Sequence, residues 1–179
     1  MLFVSILLIR DPSREGGWIC IDGEWVKHGN PSVNHPDKDC GLVDDLNLEE
    51  KIMVKVFFGN IVNDPSVMDC DVVYPVEREV VKTPAVARAA LEELFKGPTK
   101  DEINQSFFTS INEGVTIQKL GIVNGLAVVD LSKKLEEAVG GSCRTAAIRA
   151  QITQTLKQFP TIKDVIISID GRTEDILQP

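Results

Sequence analysis

The chain has 179 residues, of which 43% are hydrophobic and 26% are charged, and its formal net charge is −8 at pH 7. This length accommodates one domain with a sizeable core and a small appendage. An acidic chain repels phosphate backbones, so the composition argues against nucleic acid as a partner.

The first ten residues, MLFVSILLIR, are an apolar run followed by the polar, turn-rich stretch DPSREGG. A membrane-spanning helix needs about 20 apolar residues, and a signal peptide needs a basic region before its apolar run and a cleavage site after it. We therefore consider two interpretations of residues 1–10: the remnant of a truncated export signal or membrane anchor, or a buried strand. The turn-rich stretch is typical of a linker and favours the first.

Residues 11–45 form a small segment that is rich in Gly, Pro, Asn and Asp and shows little hydrophobic periodicity. It contains both tryptophans of the chain, Trp18 and Trp25, and both histidines. A segment of this size cannot build a hydrophobic core unaided, so we expect it to be irregular and held together by a disulfide.

The cysteines and histidines of this segment allow two interpretations. Zinc could be bound by two thiols and two imidazoles: Cys20, His28, His35 and Cys40. However, neither cysteine has another ligand two to four residues away, as zinc sites of this type require. The alternative is a Cys20–Cys40 disulfide with both histidines at the surface, and the spacing favours it. We expect no metal and no cofactor.

Residues 51–172 show regular secondary-structure patterns and are predicted to form the main domain, after a linker at residues 42–50. Strands are predicted at residues 51–60 and 71–81 from their β-branched and aromatic residues. Pro75 lies within the second strand and favours an edge position or a bulge, because proline cannot donate a ladder hydrogen bond.

The stretch TPAVARAALEELFKGP, residues 83–98, predicts a helix with defined ends. Thr83 is a candidate cap, Pro84 suits the first turn, and Gly97 followed by Pro98 stops the helix. One more helical turn is predicted after it, because Thr99 and Glu102 have capping-box spacing.

The remaining elements complete an α/β pattern. Asn124-Gly125 predicts a hairpin within residues 116–132, and a second helix is predicted at residues 142–159, with Ser142 as its cap. Residues 164–171 are apolar and predict a central strand. We therefore expect an α/β (α+β-like) fold, with a mixed β-sheet and two helices packed on one face.

No constellation in the sequence predicts catalysis. The chain has no Gly-x-Ser-x-Gly elbow, no His-Glu-x-x-His motif and no phosphate-binding glycine loop, and its acidic doublets point apart on helices. We therefore predict that the protein is not an enzyme and has no catalytic residues. Arg78 lies within an apolar strand, where it could bind an acidic partner or pair with Asp130 or Glu79. Pairing within the fold is favoured, because charges near a core are normally paired.

Residues 51–171 resemble the GerMN domain, the sporulation and spore germination module of bacterial envelope proteins. Five stretches carry the resemblance: VFFGN, VYPVEREV, TPAVARAALEELFKGPTKDE, TSINEGVTIQKLGIVNGLAVVDLS and QITQTLKQFPTIKDVIISIDG. The resemblance implies an extracytoplasmic, non-catalytic module of a lipoprotein or membrane-anchored protein. Its partner would be another envelope protein or a second copy of itself.

The domain also suggests a role for the other two cysteines and for the tryptophans. Cys70 precedes the second predicted strand and Cys143 opens the second helix, so a Cys70–Cys143 disulfide fits the domain if these elements meet at one end of the sheet. Trp18 and Trp25 either pack on the Cys20–Cys40 bridge, which is favoured, or form an aromatic platform for cell-wall glycan or a small ligand. Trp18, Trp25 and Arg78 are thus the candidate interaction residues.

Overall fold

The computed structural model describes residues 16–31, 33–37, 40, 50–65 and 69–178. The chain divides into two units, Met1–Leu48 and Glu49–Pro179. The predicted anchor remnant at residues 1–10 and most of the predicted linker at residues 42–50 lie outside the described residues. Within the described part of the chain, no helix is both long and apolar enough to cross a membrane.

The first unit contains a β-hairpin. Strands β1 (Gly16–Ile21) and β2 (Glu24–Gly29) pair antiparallel, and Asp22 and Gly23 form the turn, with φ angles of 50° and 84°. Positive φ at both central residues is typical of the turns that connect hairpin strands. The sequence shows little periodicity here because apolar residues occupy both faces of the hairpin. Trp18 lies on one face, and Ile19 and Val26 lie on the other.

The second unit contains all the other elements. Its strands are β3 (Lys51–Asn60), β4 (Tyr74–Val81), β5 (Phe107–Phe108), β6 (Ile117–Val123), β7 (Leu126–Leu131) and β8 (Asp164–Ile169). Its helices are α1 (Val86–Phe95), α2 (Lys100–Asn104) and α3 (Ser142–Lys157), and a 3-10 turn spans Lys133–Leu135. This is the predicted mixed α/β class.

The described strands of this unit form two three-stranded sheets. One has the order β4-β3-β5 and is antiparallel, and the other has the order β6-β7-β8, in which β7 and β8 are parallel. Pro75 lies in an edge strand, as predicted. The prediction that residues 164–171 form a central strand was wrong, since β8 is at the edge of its sheet. Strand β8 carries apolar side chains on both of its faces. Ile167 and Ile169 face the core, whereas Ile166, which is 39% exposed, faces outward.

Helices α1 and α3 pack against each other and against β3, and they build the core with the inner faces of the strands. The fully buried side chains include Phe58, Leu91, Leu94, Ile148, Ile152 and Leu156. α3 begins at Ser142, as predicted, but the capping residues of both helices differ from the prediction. Helix α1 begins at Val86 rather than at Pro84, and Thr83 Oγ1 accepts a hydrogen bond from the Ala85 amide at 3.2 Å just before it. The residue that caps α3 is Gly141 rather than Ser142. Gly141 has a φ of 85°, a conformation that suits glycine.

Helix α3 also completes one edge of β3. The Gln158 side chain accepts from the Lys55 amide at 2.7 Å and donates to the Lys55 carbonyl at 2.5 Å. Thr155 Oγ1 accepts from the Phe57 amide at 3.2 Å, and the end of β3 pairs with β5. Side chains of α3 and of the residue that caps its end therefore satisfy backbone groups that would otherwise be left open at the edge of this strand.

Gly59 is required where β5 approaches β3. A Cβ atom built at this position would overlap the ring of Phe108, whereas one at Gly121 would meet nothing within 4 Å. We expect Gly59→Ala to lower the free energy of unfolding by about 1–3 kcal/mol, because the ring must move out of a packed position. Chemical denaturation would measure this, with Gly121→Ala as the control. An equal effect of the two substitutions would contradict the expected overlap.

Candidate functional site

The disulfide-linked hairpin places both tryptophans on the same face as Cys20. Trp18 precedes Cys20 by two residues, and Trp25 is the cross-strand partner of Cys20, so all three side chains share one side of the hairpin. Cys20 bonds to Cys40, which is only 7% exposed, whereas both tryptophans are half-buried. The aromatic residues thus lie beside the bridge.

Trp18 contacts three residues of the first unit, namely Val33, His35 and Lys27. Its Nε1 donates to the Val33 carbonyl at 3.1 Å, and the His35 ring meets it edge-on, with centroids 4.7 Å apart. Lys27 Nζ lies 5.9 Å from the Trp18 ring centroid. These contacts give Trp18 a packing role in the hairpin. The glycan-binding role of Trp18 and Trp25 stays a prediction.

The four residues considered for zinc do not form a metal site in this structure. The sulfur atoms of Cys20 and Cys40 are bonded to each other, so neither is a thiolate ligand. Among the described residues, no group of three or more His, Cys, Asp or Glu side chains is arranged to hold a metal ion. His28 and His35 are both exposed.

Arg78 is held inside the second unit by residues around α2. Its guanidinium forms a bidentate ion pair with the Glu102 carboxylate, in which Nη1 donates to Oε1 and Nη2 donates to Oε2 at 2.6 Å. Nη2 also donates to the Gly97 carbonyl at 3.2 Å, and Nε lies 3.9 Å from Glu93 Oε2. The Arg78 and Glu102 side chains are only 13% and 10% exposed. The prediction that Arg78 pairs with Asp130 or Glu79 was therefore wrong.

Glu102 has a second structural role at the start of α2. The predicted capping box is present: Thr99 Oγ1 accepts from the Glu102 amide, and Glu102 Oε2 accepts from the Thr99 amide at 2.7 Å. Burial alone would raise the pKa of Glu102, but the hydrogen bonds from Arg78 and Thr99 outweigh it and hold the pKa below its ordinary value of 4.5. Glu102 is therefore ionised and paired at neutral pH.

The second disulfide joins the β3–β4 connection to the start of α3. Cys70 bonds to Cys143 across a sequence separation of 73 residues, and Cys143 is exposed in the first turn of the helix. Together with the first bridge, it leaves no free cysteine.

The sheet β6-β7-β8 exposes apolar side chains on the face turned away from the core. Val128 is paired in register with Ile166, and each is 39% exposed; Val123 is 68% exposed and is paired with the half-buried Leu126. Register and alternation place these four residues on one side. We call Val123, Leu126, Val128 and Ile166 the outer sheet face.

Comparison with known proteins identifies the second unit. The family model Germane, described as sporulation and spore germination, matches residues 55–175. The chain belongs to this family. The resemblance to GerMN domains that the sequence predicts is thus confirmed. Among curated proteins, none matches the sequence.

Solved structures show the same fold. The tandem GerMN domains of the sporulation protein GerM from Bacillus subtilis match with a TM-score of 0.54 and 22% identity, over 71% of this chain and 42% of that one. The first GerMN domain of the same protein matches with a TM-score of 0.50 and 20% identity, over 70% of this chain and 88% of that one. The chain therefore spans less than half the length of the tandem structure.

In this Germane domain, two of the sequence stretches that carry the resemblance meet at one ion pair. Arg78 comes from VYPVEREV and lies in β4, whereas Gly97 and Glu102 come from the end of TPAVARAALEELFKGPTKDE. The stretches are 24 residues apart at Arg78 and Glu102, so they fix β4 against α2. Sequence reasoning missed Glu102 as the partner of Arg78. The signal available in the sequence was that a capping-box glutamate, Glu102, follows the predicted strand that contains Arg78.

Proposed function

We propose that this Germane-domain chain is a non-catalytic, extracytoplasmic protein of the cell envelope, and that it binds another envelope protein through the outer sheet face. The observation that carries the proposal is the exposure of Val123, Val128 and Ile166 on that face. Contiguous exposed apolar surface on a soluble domain marks interaction sites.

The extracytoplasmic location is supported by the cysteines. All four are joined in two disulfides, Cys20–Cys40 and Cys70–Cys143. Disulfides of this kind form and persist in oxidising compartments outside the cytoplasm and are rare inside it.

The non-catalytic role is supported by the use that the domain makes of its buried charges. Arg78 and Glu102 satisfy each other and neighbouring backbone groups instead of lining an open site. The lowered pKa of Glu102 keeps this carboxylate ionised, whereas a general acid needs a raised pKa. Both histidines belong to the N-terminal unit, so none is available in the Germane domain to act as a base.

The charge of the chain favours a different protein over a second copy as the partner. Two chains that each carry −8 repel one another, and this repulsion opposes self-association through a surface whose energy comes from apolar contact. A partner with an apolar patch and a basic rim would meet no such repulsion.

Site-specific crosslinking in living cells tests the proposal. A photo-crosslinking phenylalanine derivative at Val128 is expected to yield one discrete adduct with a different envelope protein. Adding Ile166→Asp to the same chain should reduce this adduct by about tenfold, because a charge is placed in the apolar contact. The control is the same derivative at Met53, an exposed strand residue that is 59% exposed and lies outside the outer sheet face.

Two outcomes would contradict the proposal. An adduct containing only two copies of this chain would identify self-association instead of a partner. Equal adducts from Val128 and Met53 would show that the outer sheet face has no selective role.

A further inference from the structure

Strand β6 is at one edge of its sheet, and in the described part of the chain no strand pairs with its outer side. The turn Asn124-Gly125 joins β6 to β7, and its positive φ angles are those of a two-residue hairpin turn, whose flanking residues exchange hydrogen bonds. Bonded and non-bonded pairs then alternate along an antiparallel ladder. Counted back from the turn, Ile122 and Leu120 fall in the non-bonded pairs. Their N–H and C=O groups therefore point away from β7, toward the open edge.

A hydrogen bond on the other side of β7 supports this alternation. Ser168 Oγ donates to the Val129 carbonyl at 3.4 Å, so that carbonyl points toward β8. Val129 is the register partner of Leu120, and a carbonyl that points toward β8 does not accept from Leu120. No described residue bonds to the outward backbone groups of Leu120 or Ile122. Both residues thus offer a donor and an acceptor in the spacing of an extended strand.

Backbone groups at other strand edges are occupied or interrupted. Gln158 occupies the amide and the carbonyl of Lys55 in β3. Pro75 removes a donor from β4, and Ile169 of β8 is bridged to Arg172. Folded proteins usually cover or interrupt strand edges, because an open edge accepts strands from other molecules. An edge that stays open beside a groove is the arrangement that binds extended peptides by strand addition.

Such a groove lies beside the open edge of β6, between this strand, the start of α1 and the segment that follows α3. Its volume is about 250 Å³, which is enough for one bulky apolar side chain. Leu120 and Ile122 line it from β6, and Phe159 and Ile162 line it from the segment after α3. Ile122 is 42% exposed, so the groove opens to solvent along the strand. In a peptide strand added to β6, alternate side chains point to one face, so one of them enters the groove.

The charges at this edge favour an acidic peptide. Of the described residues that line the groove, Arg88 alone is charged, and β6 contains Lys119 but no acidic residue. Arg88 is held loosely: its ion pair with Glu92 spans 3.4 Å between side chains that are 38% and 55% exposed, and it donates to the Ile117 carbonyl at 3.5 Å. Exposed pairs of this kind contribute little, so Arg88 is available to a carboxylate of a ligand.

We propose that the open edge of β6 binds an extended acidic peptide segment of a partner protein as an additional strand, with an apolar side chain in the groove and a carboxylate at Arg88. Backbone hydrogen bonds to Leu120 and Ile122 supply affinity, and the groove and Arg88 supply specificity. The register partners of these two residues, Val129 and Ala127, are fully buried, so the groove is on the core side of the sheet. The outer sheet face is on the opposite side, and either proposal can fail without the other.

Peptide selection tests the proposal. The oxidised chain is presented with a displayed library of random linear peptides. We expect the enriched peptides to combine an acidic residue with an apolar one, and we expect Arg88→Glu to enrich peptides that carry a basic residue instead. A selection that enriches nothing, or that enriches the same acidic peptides with both chains, would overturn the proposal.

Amide hydrogen exchange shows where a selected peptide binds. We expect the peptide to slow exchange at Leu120 and Ile122 by about tenfold and to leave Gly121 unchanged, because the Gly121 amide already bonds to β7 in this alternation. The control is the same peptide methylated at its backbone nitrogens, which cannot donate and should bind about tenfold more weakly. Equal binding of the methylated peptide would contradict strand addition. Protection that rises with protein concentration in the absence of peptide would identify a second copy as the occupant, and the proposal would fail.

Two variants separate this site from the outer sheet face. Thr161 is exposed at the rim of the groove, and Thr161→Trp should weaken peptide binding by about tenfold, because the indole ring fills the groove. Ile166→Asp lies on the opposite side of the sheet and should leave peptide binding unchanged. The reverse pattern would place the peptide on the outer sheet face and would contradict the proposal.

Discussion

Loss of the Cys70–Cys143 disulfide is expected to lower the free energy of unfolding of the Germane domain by about 4 kcal/mol. The bridge closes a loop of 73 residues, and in the chain-entropy model a loop of this length restricts the unfolded chain by about that amount. Domains of this size are stable by only about 5–15 kcal/mol, so the loss would remove a large share. The expected fall in melting temperature is about 10–20 °C.

Differential scanning calorimetry of Cys70→Ala/Cys143→Ala measures this effect. The control is Cys20→Ala/Cys40→Ala, which removes a bridge across only 20 residues in the other unit and keeps the Germane-domain bridge intact. We expect the control to leave the domain's own transition in place. A Cys70→Ala/Cys143→Ala variant that melts at the wild-type temperature would show that the bridge adds nothing to the stability of the domain.

Arg78→Met is expected to lower the free energy of unfolding of the domain by about 3 kcal/mol. It leaves the Glu102 carboxylate, 10% exposed, without its cation, and breaking a buried pair by removing one partner is strongly destabilising. Urea denaturation at neutral pH would measure the loss. The matched control is Lys51→Met, whose pair with Glu79 is 56% exposed on both sides and should contribute less than about 1 kcal/mol.

The difference in the free energy of unfolding between wild type and Arg78→Met should also depend on pH. Because the folded-state pKa of Glu102 is lowered, the stability that comes from its ionisation is fully present above its ordinary pKa of 4.5 and is lost as the pH falls through the lowered value. In Arg78→Met the burial remains without the guanidinium, so protonation of Glu102 in acid relieves the variant. The difference in the free energy of unfolding should therefore become smaller below pH 4.5. A constant difference would contradict the assigned role of this pair.

The local elements of the domain were predictable because they are punctuated by residues with strong backbone preferences. Gly97 and Pro98 end α1, the Thr99–Glu102 capping box starts α2, and Asn124-Gly125 turns the β6–β7 hairpin with positive φ at both residues. These signals act within a few residues of the chain. The N-terminal hairpin lacked a periodic signal because both of its faces carry apolar side chains.

The arrangement of the elements was less predictable because it depends on pairs that are distant in sequence. Arg78 finds Glu102 across 24 residues, and nothing in its own strand distinguishes that partner from Glu79 beside it. Ile166 lies in an apolar run that predicts burial on both faces, yet no described element covers the outer side of β8 at this residue. Alternation shows which residues share a face, but it does not show whether anything packs on that face.

The contact between Gln158 and Lys55 has a consequence for the colloidal behaviour of the protein. An open strand edge offers backbone donors and acceptors to strands of other molecules, and such templating leads to aggregation. Here the amide and the carbonyl of Lys55 are both bonded to the side chain of Gln158, the residue that follows α3. The end of α3 therefore acts as a cap against polymerisation, because strands of other molecules find no free backbone group at Lys55 to pair with along this edge of β3.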